Sequence, residues 1–191
     1  MTETQDQRKQ DTEKTEKKYP LMRRIVIGVD PAVTHQSTSD ETGIIVAGVG
    51  VDENYYVLDD LSGRLRPVEW AARVVKAYHT YQAERVVAEV NQGGDMVEST
   101  LRVMDPRISY KGVRASKGKM VRAEPVAALY EQGRVFHRQC FLDLEKQMCA
   151  FTGDPKDGTS PDRLDALVWA LSELGLSDRA PGAPHLWIAA I

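Results

Sequence analysis

Two runs dominated by Val, Ile and Gly, residues 24–30 and 42–51, flank a polar loop, and the first closes on Asp30. Runs this short and this apolar fit strands buried in a sheet better than helices. A carboxylate ending a buried strand is costly unless something compensates it, so Asp30 restricts what can be packed around it. A third strand is predicted over residues 54–62, and a turn at Asp52, Glu53 and Asn54 joins it to the second, which makes an antiparallel meander.

Downstream the pattern alternates. A helix is expected over 66–84, with Pro67 near its first turn and Trp70, Val74, Ala77 and Tyr78 along one side. A short apolar strand over 85–90 again ends beside an acid, Glu89, and "NQGGD" turns the chain into a helix at 95–104, for which Asp95 is the expected N-cap. A strand at 108–115, a helix at 122–133 stopped by Gly133, and a helix at 142–151 follow. Ser160 is then expected to cap a last helix with Pro161 in its first turn and Leu164, Leu167, Val168, Leu171 and Leu174 as its buried stripe. Three meandering strands followed by alternating helices and parallel strands predict an α/β fold, a mixed sheet flanked by helices.

The length of 191 residues supports one domain, 20–176, between an N-terminal arm or linker at 1–19, too polar to pack, and a C-terminal tail at 177–191. Neither a membrane span nor a secretory signal is present, and two cysteines form no disulfide or zinc pattern, which predicts a cytoplasmic protein. The net charge of −3 argues mildly against nucleic acid, but local charge governs binding.

Asp30 and Glu89 lie at strand ends, and Asp162 and Asp165 share one face of the last helix. Singly, each has a plain structural explanation: a turn, an ion pair, or an acid on a helix dipole. Gathered together they would repel, and hard divalent cations such as Mg²⁺ or Mn²⁺ are the usual resolution. Two such ions suit in-line displacement at a phosphodiester. Residues 107–122 carry Arg107, Lys111, Arg114, Lys117, Lys119 and Arg122 without an acid. Of these Arg114, Lys117, Lys119 and Arg122 are the expected DNA contacts, because a polyanion gains affinity there by counterion release. The segment is not a P-loop, lacking its first glycine and its hydroxyl residue. His35, a loop histidine, is expected to be solvated, His79, His137 and His185 lack a partner at ligand spacing, Asp59 and Asp60 are expected to face solvent, and Trp70 and Trp169 to be core.

The pieces "GVDPA", "SDETGIIVAG", "VVAEVNQGGDMV", "VRASKGKMVRAEPVAALYEQGRVFH" and "SPDRLDALVWAL" resemble, in order, the C-terminal nuclease domain of the large terminase subunit of tailed bacteriophages and gene transfer agents. The resemblance implies an RNase H-like fold and a two-metal endonuclease that cuts concatemeric double-stranded DNA during viral genome packaging. It further implies an ATPase motor domain, portal and small terminase subunit as partners, in a bacterial host cytoplasm. By position Asp30, Glu89 and Asp165 match its metal ligands, Asp162 a neighbouring site residue, and Lys119 a basic loop residue. The ATPase motor that usually precedes this domain is not in these residues. A Holliday-junction resolvase of the same fold would carry a similar set of acids, and a non-catalytic DNA-binding packaging module would keep them for structure only. A sugar-kinase or actin-like protein also opens with an acid after its first strand, but its later glycine-rich phosphate loops are missing.

Overall fold

The computed structural model describes residues 19–31, 41–90, 94–152 and 160–176, with backbone alone at 94 and 95. In chain order the elements are β1 (Met22–Asp30), β2 (Gly43–Gly50), β3 (Tyr55–Asp60), α1 (Pro67–Thr80), β4 (Arg85–Glu89), α2 (Gly94–Met104), β5 (Tyr110–Val113), α3 (Lys119–Glu131), β6 (Val135–His137), α4 (Leu142–Ala150) and α5 (Asp162–Leu171), continued by a π-turn, Ser172–Leu176. The strands form one six-stranded sheet in the order β5-β4-β1-β2-β3-β6. β1, β2 and β3 are the expected antiparallel meander. β4 and β5 continue it in parallel on one side, as the mixed-sheet reading requires, and β6, unexpected from the sequence, pairs in parallel with β3 on the other.

Strand alternation divides the core in two. Ile27, Val29, Ile44, Val46, Val86 and Ala88 face α1 and α2, meeting Trp70, Val74, Val97 and Leu101. Val26, Ile45, Ala47, Val49 and Val57 face the other way, onto α3, α4 and α5 through Val126, Leu129, Leu144, Leu167 and Leu171. The central strands are covered on both faces, which is why they read as unbroken apolar runs instead of alternating ones. Each fully buried Leu or Ile contributes about 1.5–3 kcal/mol, and the expected stripe of α5 is buried along its length.

What brings α5 so close to the sheet is the absence of side chains beneath it. A Cβ on Gly28 would overlap the carbonyl of Ala166, and one on Gly43 the carbonyl of Asp162. Glycine at these two positions therefore lets helix backbone rest on strand backbone. The start of α5 differs from expectation. Ser160 lies outside it and gives no side-chain cap; instead Gln147 of α4 accepts the backbone N–H groups of Arg163 (3.0 Å) and Leu164 (3.3 Å). The orphan donors of the first turn are thus satisfied from a neighbouring helix. Asp95 is likewise inside α2 and not before it, and α3 starts at Lys119, placing Pro125 within the helix. Gly133, at φ +65°, ends α3 as predicted. Among the described residues no helix is long and apolar enough to cross a membrane.

Candidate active site

Strand parity puts the acids on one face. Asp30 follows Val26 and Gly28 toward α5, and Glu89 follows Val87 in the same alternation on the adjoining parallel strand. β1 and β4 are in register at Val29 and Ala88, so Asp30 and Glu89 are neighbours one step further on. From above, α5 supplies Asp162 and Asp165, both buried. The electrostatics record the convergence. Burial, then the carboxylates of Asp165, Glu89 and Asp162, push the Asp30 pKa well above its ordinary value, and Lys119 opposes the shift. The other three predicted acids therefore all act on Asp30.

Two cations from α3 are turned into this cluster. Lys119 Nζ donates to Asp165 Oδ2 at 2.6 Å. Arg122 Nη1 donates to Glu89 Oε2 at 3.3 Å, while Nη2 lies 3.5 Å from Asp165 Oδ1. Arg114 and Lys117 are exposed, as a phosphate contact would be. Arg122 departs from that expectation: only 10% of its side chain is accessible, and its guanidinium lies 4.6 Å from the centre of the Trp169 ring. Its position is that of a carboxylate partner, because the acids draw the guanidinium inward.

Among the described residues no three His, Cys, Asp or Glu side chains are grouped tightly enough to hold a metal ion as they stand. The donor set nonetheless fits one in kind. It is made of oxygen alone, and beside burial the three neighbouring carboxylates raise the Asp30 pKa, a crowding of negative charge that a hard divalent cation would relieve. Lys119 and Arg122 neutralise part of that surplus, and Lys119, half-exposed, is the one free to leave.

Sequence reasoning missed three features. Trp169 is not simply core: its Nε1–H donates to Glu89 Oε2 at 2.9 Å. Asp60, expected in solvent, has a side chain only 5% exposed and paired at 2.7 Å with Arg163 Nη1. A bulge opposite Val46 and Ala47 shifts strand parity, so Asp60 aligns with Ile45 on the α5 face, while Asp59 turns away and accepts the Tyr81 hydroxyl at 2.8 Å. Arg163 also binds Glu41 through Nε (3.0 Å) and Nη2 (3.3 Å), and the Glu41 N–H donates to Asp162 Oδ2 at 3.1 Å. An arginine between two site acids was the available signal. His79 bonds Asp105, and His137 bonds Tyr130 and Glu145, which leaves both histidines in local hydrogen bonds. His35, His185, Trp187 and the Asp95 side chain lie outside the described residues.

A mixed sheet of this strand order, with acids ending β1 and β4 and two more on the helix laid across them, defines an α/β domain of the RNase H-like class. Residues 27–174 match the family described as "Terminase RNaseH-like domain", and the chain belongs to that family. Among solved structures, the large terminase nuclease from thermophilic phage G20c with bound cobalt aligns with a TM-score of 0.60 at 17% identity, over 78% of this chain and 81% of that one. The magnesium form aligns with a TM-score of 0.56 at 16% identity over the same shares, 78% and 81%. Both likenesses are in fold. The yeast mitochondrial Holliday junction resolvase Ydc2 aligns at 13% identity over 80% of this chain and 77% of that one, with a TM-score of 0.48. No curated protein sequence gives a significant match.

Proposed function

We propose that this chain is the nuclease domain of a large terminase subunit, a divalent-metal-dependent endonuclease that hydrolyses double-stranded DNA during viral genome packaging. The observation that carries this reading is the gathering of Asp30, Glu89, Asp162 and Asp165 where the C-terminal ends of β1 and β4 meet α5, with a raised pKa at Asp30. Asp30, Glu89 and Asp165 are the residues that would hold the cations, with Asp162 beside them. A divalent cation held there would supply a water of lowered pKa and offset charge on the leaving oxygen of a phosphodiester. The protein's own part is to fix these carboxylates on strands and a tightly seated helix, and to offer Arg114 and Lys117 to the DNA backbone. The motor domain, portal and small subunit are the partners that the family implies.

The test is cleavage of supercoiled plasmid and of a synthetic four-way junction in Mg²⁺, Mn²⁺ or EDTA. Metal-dependent plasmid cutting, lost in Asp30→Asn and in Asp165→Asn, is expected. Junction-only cutting would replace the proposal with a resolvase, and binding without cutting in every metal would reduce the chain to a DNA-binding module.

A further inference from the structure

We propose that Trp169 and Arg122 are positioning residues that hold the Glu89 carboxylate in place for a divalent cation, an inference that rests on the metal-dependent nuclease reading. Trp169 lies one helical turn beyond Asp165 on α5, so the two share a side of the helix. The indole Nε1–H donates to Glu89 Oε2 at 2.9 Å, and Arg122 Nη1 donates to the same oxygen at 3.3 Å. Two donors, from two helices, therefore converge on one carboxylate oxygen at the end of β4.

The donors also fix each other. The Arg122 guanidinium lies over the indole, 4.6 Å from its centre, and reaches on to Asp165 Oδ1 at 3.5 Å. Nine-tenths of the Arg122 side chain is buried, a placement that is expensive for a cation unless neighbours compensate it. Two carboxylates and an aromatic face supply that compensation. The Arg122 Nε, also buried, has no hydrogen-bond partner among the described residues, so the guanidinium is oriented by the acids and the ring.

The chemistry of the two groups is complementary. An indole is a donor only and carries no charge, so it orients the acid without competing for the site as Lys119 does. A tryptophan serving the core alone could satisfy its N–H at any carbonyl. Here the acceptor is the acid beside Asp30, and partners of ligating groups behind a metal set affinity by fixing ligand geometry.

Trp169→Phe isolates the effect, since it keeps a ring beneath Arg122 and removes only the N–H. In the full chain, Mn²⁺ affinity measured by calorimetry should fall roughly tenfold, with the thermal melt close to wild type. A folded Trp169→Phe protein that binds Mn²⁺ as tightly as wild type would overturn the inference. A second measurement needs no substitution at Trp169. Its indole ¹⁵N–H resonance, assigned by elimination with Trp70→Phe and Trp187→Phe, should shift as Mg²⁺ is added and stop responding in Glu89→Gln. A resonance that ignores saturating Mg²⁺ also overturns it. If the wild-type chain binds no divalent cation, both this inference and the nuclease reading fall; if it binds and Trp169→Phe binds equally, only the positioning role falls.

Discussion

The backbone of Gly43 lies so close beneath Asp162 that a methyl group there would overlap the Asp162 carbonyl oxygen. The contact holds the acid-bearing turn of α5 down on the sheet, and Gly28 does the same under Ala166. Gly43→Ala must therefore lift the helix start away from Asp30. Overpacking of this kind costs about 1–3 kcal/mol, measurable by denaturant unfolding, and a displacement of about 1 Å in a catalytic group lowers rate on the order of 100-fold. Wild-type cleavage and stability in Gly43→Ala would show that the close approach has no bearing on the site.

Asp30 is expected to make the metal-free protein less stable as pH rises. Burial and the carboxylates of Asp165, Glu89 and Asp162 hold its pKa above the ordinary value, so between about pH 4 and that raised pKa the folded chain binds more protons than the unfolded one. Stability contributed by the protonated form is complete below the unfolded pKa and is lost as pH climbs through the folded one. In EDTA at pH 7, Asp30→Asn should then melt higher than wild type, by roughly 2–4 °C per kcal/mol relieved. It should also lose most of the Mg²⁺-induced rise in melting temperature. A variant that melts below wild type in EDTA would mean that Asp30 is stabilising and that the cluster is not strained.

Much of this was legible because it rests on short-range rules. Val- and Ile-rich runs announced β1, β2 and β4, and the acids that end β1 and β4 share the face of the glycine and valines before them, so period-two alternation leads directly to Asp30 and Glu89. The spacing of Asp162 and Asp165 and the leucine stripe located α5. Other features depended on partners distant in sequence. β6, at three residues, is too short to carry a periodic signal and exists because β3 offers it an edge. The Asp60 side chain is buried because a bulge reverses strand parity, and Trp169 reaches Glu89 only once α5 and β4 are packed. The cap on α5 comes from Gln147, a residue that no local capping rule could identify.

On the proposed function, Lys119 and a metal ion would compete for the same oxygen of Asp165. Its Nζ lies 2.6 Å from Asp165 Oδ2, and with nearly half of the side chain exposed the pair is worth only about 0–1 kcal/mol. Lys119→Ala should accordingly tighten Mn²⁺ binding by up to about fivefold in calorimetry. The same variant should flatten the salt dependence of DNA affinity by about 0.9 in log–log slope, because a lysine displaced by metal would otherwise meet a phosphate. Weaker Mn²⁺ binding in Lys119→Ala would make the lysine a support of the site and not its competitor.

Arg163 ties the buried side of the site together. Its guanidinium joins Asp60 to Glu41, and the Glu41 N–H holds Asp162. With 10% of its side chain exposed and Asp60 at 5%, this is a buried pair, and removing one partner strands a charge. Arg163→Met should cost about 3–5 kcal/mol in denaturant unfolding. The double variant Arg163→Met with Asp60→Leu removes both charges and should recover much of that loss, since burying an apolar pair costs no desolvation of ions. Cleavage should not recover with stability, because Glu41 would still lack the guanidinium that fixes it against Asp162. Recovery of activity along with stability would instead reduce Arg163 to a packing residue, with no part in holding the acids of α5.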